Sequence, residues 1–298
     1  MSGQRVVITG ASGLIGSALS AFLGGRGDEV VHLVRRAAQT RGEVRWDPAS
    51  RHLDPEVLDG VDTVVHLSGA GVGDHRWTPS YQQDILRSRV DSTTAVAEAV
   101  AARGDSVRLV SGAAVGIYGS DRGDEVLTEQ STAGHGFLAD VVQAWEAATQ
   151  PAVDAGASVA TIRTGLVMAP TSGAFQPLVR LGKLGLGGPL GSGRQWWPWI
   201  TLEDEVRAIA HLVDHPEVIG PVNLVGPAPS RQVDISREVG RQVGRPAVLP
   251  APTFALRLVL GGFADDVVGS QRALPEVLGA SGFTFRHETL ADAVASLL

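Results

Sequence analysis

The chain has 298 residues, a formal net charge of −7 at neutral pH and no cysteine. This length accommodates one large domain, or a core domain with a smaller lobe. The negative charge argues against a general nucleic-acid binder and against binding to anionic membranes, and the lack of cysteine excludes disulfides, thiol nucleophiles and thiolate metal sites. Because no apolar run can span a bilayer and the first predicted strand begins within five residues of the start, we expect no signal peptide and a cytoplasmic location.

The first stretch of the chain carries the strongest functional signal. Residues 6–8 are β-branched, as in a buried parallel strand, and the apolar residues from position 14 onward recur at helical spacing. Glycines between a strand and a helix let the backbone approach a pyrophosphate, and the helix N-terminus offers it free N–H groups. The pattern predicts a dinucleotide-binding turn, and its expected cofactor-binding residues are Gly10, Ser12, Gly13, Leu14, Ile15 and Gly16.

The second predicted strand, residues 29–34, ends at two arginines. An acidic residue about 20 positions after the glycines would hold the ribose 2′-hydroxyl of NAD. Arg35 and Arg36 stand there instead, and a guanidinium can bind a 2′-phosphate through paired charged hydrogen bonds. We therefore expect NADP rather than NAD, with Ser12 as a further donor to that phosphate. The alternative is that both arginines are solvated charges at a strand end.

The strands that follow bring further residues to the same edge of the sheet. They are predicted at residues 43–46, 61–67, 107–111 and 158–163. Small residues after a parallel strand let a cofactor pass close to the backbone, and the end of the short third strand is expected near the adenine. His66 is interpreted as a packed core histidine rather than a base. The cofactor-binding residues expected here are Trp46, Leu67, Ser68, Gly69, Ala70, Ser111 and Thr164.

Strands alternate with helices up to about residue 165, which predicts an α/β fold with a Rossmann-type, doubly wound parallel sheet. A long helix covers about residues 80–103, with Arg87 and Arg89 pointing away from its apolar stripe, and another covers about 137–155. Later elements are a glycine-rich loop at 182–193, helices near 202–214, 233–243, 253–261 and 288–298, and a strand at 221–225.

We expect two lobes. The dinucleotide-binding domain comprises residues 1–165 plus about 200–225, and a smaller, mostly helical substrate lobe comprises residues 166–199 plus 226–298. The ligand cleft lies between them, over the carboxyl ends of the strands.

Several motifs along the chain resemble one enzyme family. They occur at residues 9–16, 65–70, 111–119 and 163–165, with three further stretches at 188–196, 223–225 and 282–286. The chain resembles an extended short-chain dehydrogenase/reductase of the NAD-dependent epimerase/dehydratase type. More narrowly, it is similar to the epimerase-like subgroup with a C-terminal cap of unknown function.

The resemblance implies a catalytic pair that this chain lacks. In the family, a tyrosine exchanges a proton with the substrate while a lysine four residues later lowers its pKa and holds the ribose. The matching positions here are Leu138 and Val142, and Ala113 stands where a serine orients the substrate. The only lysine, Lys183, does not follow a tyrosine by four residues. Tyr118 and Ser111 are the remaining, weaker catalytic candidates.

A second departure concerns the substrate. Nucleotide-sugar enzymes of the family carry a Gln-x-Arg motif whose arginine binds the substrate diphosphate, whereas this chain has Trp197 at that arginine's place after Gln195 and Trp196. An aromatic wall favours a flatter or less charged ligand. The substrate-lining residues expected on these grounds are Arg76, Trp77, Tyr118, Arg194, Trp196 and Trp197.

Other polar residues carry weaker signals. No set of side chains has metal-ligand spacing, and His135 is a single loop histidine that we do not expect to be catalytic. The acidic loop that contains Asp121, Asp124, Glu125 and Glu129 is expected to be solvated rather than metal-binding.

Two functions from different classes stay open. The first is an NADP-dependent, epimerase-like oxidoreductase that acts on an unidentified small molecule through atypical proton-transfer groups. The second is a non-catalytic NADP-binding regulator or scaffold, which the missing tyrosine–lysine pair favours. We favour the enzyme, because the loop around Trp196 and Trp197 is typical of a site that encloses a ligand. The resemblance also implies a possible homodimer formed through the two long helices.

Overall fold

The computed structural model describes residues 3–169, 173 and 175–298. Its strands are β1 (Arg5–Thr9), β2 (Glu29–Val34), β3 (Glu43–Arg45), β4 (Thr63–His66), β5 (Arg108–Ala114), β6 (Val126–Leu127), β7 (Val159–Thr164), β8 (Leu166–Met168), β9 (Trp196–Trp197), β10 (Trp199–Thr201), β11 (Gly220–Leu224), β12 (Ser230–Arg231) and β13 (Arg272–Ala273). Its helices are α1 (Leu14–Gly25), α2 (Pro79–Ala101), α3 (Phe137–Ala147), α4 (Gln150–Asp154), α5 (Gln176–Lys183), α6 (Leu202–Asp214), α7 (Gln232–Gln242), α8 (Thr253–Leu260), α9 (Ala264–Val268), α10 (Glu276–Ala280) and α11 (Leu290–Leu297).

Seven of the strands form one parallel sheet in the order β11-β7-β5-β4-β1-β2-β3. Strand order reverses between β1 and β4, which is the switch point where open α/β sheets bind ligands. Alternate residues of β1 point to opposite faces, so that Val6 and Ile8 pack with α1 and α6 while Val7 packs with α2. The predicted doubly wound α/β fold is confirmed.

The predicted helix at 137–155 is wrong in its extent. It is interrupted after Ala147, and α4 begins separately at Gln150. Pro151 stands in the first turn of α4, where its missing N–H costs nothing, but inside a continuous helix it would lose a hydrogen bond and clash with the preceding turn.

The C-terminal half has a hydrophobic cluster of its own. Strands β9 and β10 and helices α5, α7 and α11 contribute to it, and Trp197 and Trp199 are among its members. The C-terminal segment also returns to the sheet, because Leu278 packs into the cluster formed by β1, β7 and α6. The lobe boundaries given above stay a prediction. In the described ranges, every helix is too short or too polar to cross a membrane.

Asp204 fastens the C-terminal segment to the start of α6. Its side chain is 1% exposed, and its two carboxylate oxygens accept hydrogen bonds from the backbone N–H groups of Arg286 (2.7 Å) and His287 (2.9 Å). Arg207, one turn later on α6, donates to the same carboxylate at 2.8 Å. One buried side chain therefore satisfies two backbone donors of a segment more than 80 residues away.

We expect Asp204→Asn to lower the free energy of unfolding by about 1–3 kcal/mol, because an amide has a single acceptor oxygen and leaves one buried N–H unpaired. Urea denaturation measures this difference. The matched control is Asp234→Asn, since Asp234 is half-exposed and its one ion pair among the described residues is with Arg237 on the surface of α7. The effect of this control should stay within about 0.5 kcal/mol. Equal effects at the two positions would contradict the tethering role.

Candidate functional site

The glycine turn between β1 and α1 is shaped by close backbone contacts. A Cβ atom on Gly10 would lie 2.7 Å from the carbonyl oxygen of Leu67, and Gly10 has a positive φ of 70°. A Cβ on Gly16 would overlap the carbonyl oxygen of Gly10. The first and third glycines are therefore required by packing. At Gly13 an added Cβ would lie 3.2 Å from the carbonyl oxygen of Gly10, a tight contact that the backbone would have to relieve by a small shift.

The start of α1 leaves its donors free. Gly13 is the N-cap residue and provides no side-chain cap, and the first turn contains no acidic residue. The first N–H groups of a helix have no partner within the helix, and Ser12 and Gly13 are exposed. This end of the helix fits the phosphates of a dinucleotide, because donors, positive dipole and open backbone coincide there.

The two arginines after β2 differ in their surroundings. Arg36 forms a two-pronged ion pair with Glu43 of β3, with nitrogen–oxygen distances of 2.8 and 2.6 Å. The paired guanidinium holds the pKa of Glu43 near 2. Arg35 is exposed and makes no hydrogen bond or ion pair within the described residues. Of the two, Arg35 is the arginine with free donors.

The loop after β4 rests on α2. The backbone N–H of Ala70 donates to Ser88, and Arg89 donates to the carbonyl oxygen of Ala70 at 2.9 Å. Leu67, Ser68 and Ala70 are partly exposed and Gly69 is exposed. The loop is thus accessible to a ligand. The expectation that Arg89 points away from the apolar face is wrong, because its side chain is only 9% exposed.

Three other residues assigned from the sequence lie inside the protein. Trp46 is 6% exposed and packs edge-on against His66, with ring centroids 6.4 Å apart. Ser111 is fully buried in the middle of β5. His66 is bonded to Thr9 and Ser92, and burial lowers its pKa to about 3. The interpretation of His66 as a neutral core histidine agrees with this geometry, whereas Trp46 and Ser111 offer little surface to a ligand.

Tyr118 belongs to a buried polar network. Its side chain is fully buried, its hydroxyl donates to Oδ1 of Asn223 at 2.7 Å, and it accepts from Arg163 at 3.1 Å. Burial raises its pKa. With its hydroxyl proton engaged by Asn223 and its side chain buried, Tyr118 is poorly arranged to give a proton to a ligand, although the residue borders the surface pocket described below. This opposes the expectation that Tyr118 is a proton donor or lines the substrate.

Glu129 is part of the same network, so the expectation that it is solvated is wrong. It is 5% exposed, and its Oε1 accepts from the backbone N–H groups of Asn223 (2.9 Å) and Val277 (3.3 Å). The other acidic residues of that loop, Asp121, Asp124 and Glu125, are exposed.

The two positions that the family resemblance assigns to the tyrosine and the lysine face the turn after β5. Leu138 and Val142 lie one turn apart on α3, and both approach Gly116 within 3.5–3.7 Å of where its Cβ would be. Apolar side chains therefore occupy the place at which the family resemblance predicts a tyrosine and a lysine. Neither side chain can transfer a proton.

The residues expected to line the substrate lie in two separate regions, the loop before α2 and the segment around β9. Trp77 packs against Phe137 and Phe263, and Arg76 donates to the carbonyl oxygen of Leu258, so the loop before α2 touches the C-terminal helices. The guanidinium groups of Arg231 and Arg272 both contact the ring of Trp196, at 4.4 and 4.8 Å from its centroid.

Trp196 also donates to Asp124 at 2.7 Å. Arg194, two residues earlier, is exposed. Trp197 points the other way, into the C-terminal cluster, and donates to the carbonyl oxygen of Val267 at 3.0 Å. The expectation that Trp197 lines the substrate is opposed by this burial, whereas Trp196 stays partly exposed.

A surface pocket of about 390 Å³, which the sequence did not indicate, opens beside the start of α3. It is lined by two segments, residues 118–122 after β5 and residues 132–135 before α3. His135 is exposed there. The pocket adjoins the N-terminal end of α3, the helix that carries Leu138.

Thr164, at the end of β7, is paired with a buried acid that the sequence did not single out. Its hydroxyl donates to Oε1 of Glu205 at 2.7 Å. Glu205, in the first turn of α6, is fully buried, and its Oε2 has no hydrogen-bond partner within the described residues. Burial raises its pKa to about 8, so the carboxyl group is protonated at neutral pH.

Comparison with known proteins agrees with the Rossmann-type fold described above. The family model described as the NAD dependent epimerase/dehydratase family matches residues 6–225. The chain belongs to this family. A second model, Domain of unknown function (DUF1731), matches residues 251–297, which include the segment fastened by Asp204.

Members of the epimerase/dehydratase family resemble the chain along its whole length. It is 42% identical to an epimerase family protein of Mycobacterium bovis, over 99% of this chain and 97% of that one. The crystal structure of the human epimerase family protein SDR39U1 with NADPH has a TM-score of 0.90 and 28% identity, and covers 99% of each chain. MoeE5 in complex with UDP-glucose and NAD has a TM-score of 0.75 and 25% identity, over 98% of this chain and 97% of that one.

We expect the stability of Glu205→Gln relative to the wild type to increase as the pH is raised from about 5 to about 8. Glutamine keeps an acceptor for Thr164. The folded wild type retains a proton that the unfolded chain releases between its pKa of 4.5 and the folded value of about 8, so wild-type stability falls across that range.

Urea denaturation at several pH values measures this difference. Glu98→Gln, at an exposed position on α2, is the control and should follow the wild type. A Glu205→Gln difference that stays constant with pH would contradict a buried, neutral Glu205.

Proposed function

We propose that the chain binds NADP(H) across the switch point of the sheet and acts as an epimerase-like oxidoreductase on a small molecule. The main support for this proposal is the unpaired guanidinium of Arg35 just after β2, at the same edge of the sheet as the glycine turn. A carboxylate there would repel a 2′-phosphate, whereas an unpaired arginine and the exposed Ser12 attract it. The likeness to the human protein solved with NADPH supports the same choice.

Different residues of the chain would bind different parts of the cofactor. The start of α1 holds the pyrophosphate, Arg35 and Ser12 bind the 2′-phosphate, and the loop from Leu67 to Ala70 lies along the cofactor. Bound NADP(H) would supply or accept a hydride. Because Tyr118 is buried and Leu138 is apolar, the proton needed when a carbonyl is reduced would come from water or from an acidic group of the substrate, and the proton lost when an alcohol is oxidised would go to water.

The second candidate is a non-catalytic NADP(H)-binding regulator. It is favoured by the apolar side chains of Leu138 and Val142 and by the engaged hydroxyl of Tyr118. It shares the cofactor site with the enzyme and differs in whether a substrate reacts.

We expect Arg35→Ala to weaken NADPH binding by about tenfold or more and to leave NADH binding unchanged, because one charged contact to the 2′-phosphate contributes about 1.5–3 kcal/mol. Fluorescence titration with both cofactors measures this. Arg36→Ala, which removes the partner of Glu43, is the control and should have the smaller effect. Wild-type protein that binds NADH as tightly as NADPH would refute the assignment of NADP.

Turnover separates the enzyme from the regulator. We expect the wild type to oxidise NADPH or reduce NADP⁺ with at least one member of a library of carbonyl compounds and alcohols. Tyr118→Phe should retain this activity as long as it folds, since its hydroxyl is engaged by Asn223. Tight NADPH binding without any turnover across the library would favour the regulator.

A further inference from the structure

Most of the large apolar side chains that are exposed to solvent lie in two segments of the C-terminal half. Among the described residues thirteen such side chains are exposed, and eight of them belong to residues 181–186 or 248–259. Single exposed apolar residues are ordinary, whereas a contiguous set of this kind marks a surface that binds something. We call the eight the apolar surface; they are Leu181, Leu184, Leu186, Val248, Leu249, Phe254, Leu258 and Val259.

The two segments of the apolar surface are adjacent in space. The backbone N–H of Leu249 donates to the carbonyl oxygen of Gly187 at 3.0 Å. Leu181 and Leu186 of the first segment and Leu249 of the second line one small cavity. Helix α8 begins four residues after Leu249. The eight side chains therefore form one surface rather than several separate patches.

Helix α8 is the part of this surface that protrudes furthest. No residue of α8 is buried, and Phe254, Leu258 and Val259 are 75, 73 and 71% exposed. Phe254 and Leu258 are four residues apart, so they lie on the same face of the helix. A helix of a globular protein usually packs its apolar face against the core. The apolar face of α8 instead forms a ridge and does not line a groove.

The charges around the apolar surface all have one sign. Residues 176–191 and 244–260 contain no aspartate or glutamate, and each of their cations is exposed: Arg180, Lys183, Arg245 and Arg257. Arg257 pairs with Asp265 of α9, and the other three form no ion pair within the described residues. The net charge of −7 argues against membrane binding by the molecule as a whole. This surface, however, is locally positive.

These charges favour one kind of partner. A second copy of the chain bound by twofold symmetry would bring the same surface against itself, and its cations would face cations with no carboxylate between them. A bilayer that contains anionic lipids has no such conflict. It accepts protruding apolar side chains below its headgroups, while lysine and arginine reach the phosphates at the headgroup level.

We propose that the apolar surface binds membranes that contain anionic lipids, with α8 lying in the plane of the interface. Phe254 and Leu258 insert among the acyl chains, and Arg180 and Lys183 bind lipid phosphates. The proposal goes beyond the proposed function and does not depend on it, because none of these residues belongs to the predicted cofactor site.

Vesicle flotation with the full chain tests the apolar part. The vesicles are phosphatidylcholine with about one-third phosphatidylglycerol. We expect the wild type to float with them and Phe254→Ser/Leu258→Ser to lower the partition coefficient by at least about tenfold. The matched control is Val153→Ser/Ile219→Ser, which makes a similar change at two exposed positions outside the apolar surface and should bind like the wild type.

Charge reversal tests the electrostatic part. We expect Arg180→Glu/Lys183→Glu to lower the partition coefficient by at least about tenfold, and added salt to weaken wild-type binding. Arg41→Glu/Arg87→Glu changes the net charge of the chain by the same amount at exposed positions far along the sequence, and should have a much smaller effect.

Several results would overturn the proposal. They are a wild type that does not float, flotation that neither double variant reduces, and equal binding to vesicles of phosphatidylcholine alone. A wild type that does not float but forms a dimer, which Phe254→Ser/Leu258→Ser dissociates in light scattering, would assign the surface to a second copy. A monomeric wild type that does not float would favour an acidic protein partner instead. Should the Phe254→Ser/Leu258→Ser variant not fold, Leu184→Ser replaces it, and unchanged flotation of that variant overturns the proposal.

Discussion

The ion pair between Arg163 and Glu146 holds the central part of the molecule together. The guanidinium of Arg163, 7% exposed on β7, binds both carboxylate oxygens of Glu146 on α3 at 2.8 and 2.9 Å. It also donates to the hydroxyl of Tyr118 and to the backbone of Glu129. Breaking a buried pair of this kind leaves an uncompensated charge and is strongly destabilising. The turn after β5, the acidic loop and α3 therefore keep fixed positions around one cation.

This constraint explains why the site is asymmetric. On the β2 side, exposed groups such as Ser12 and Arg35 are free to meet a ligand. On the β5 side, Tyr118 is committed to the internal network and the face of α3 is apolar. Binding groups are thus abundant while proton-transfer groups are scarce.

Local patterns in the sequence predicted the sheet and the glycine turn well. Runs of β-branched residues and the spacing around Gly10 and Gly16 depend on neighbours in the chain, and β1, β2 and α6 appear where expected. Burial of polar side chains depends on distant partners. Glu129 is buried because it pairs with backbone donors from two other segments, and Arg89 because α3 packs over it. Neither residue differs in type or spacing from a solvated surface charge, so periodicity alone could not reveal them.

The C-terminal segment is matched by a separate family model, yet its hydrogen bonds tie it to the sheet. Asn223 on β11 donates to the carbonyl oxygen of Leu274, Glu129 accepts from Val277, and Asp204 accepts from the backbone before α11. A chain cut after residue 225 would expose the apolar surface that the C-terminal segment covers. It would also leave these internal donors and acceptors without partners. The two matched regions are therefore not independent modules. A C-terminal segment taken from another protein would have to place its backbone groups against the same three side chains, Asn223, Glu129 and Asp204.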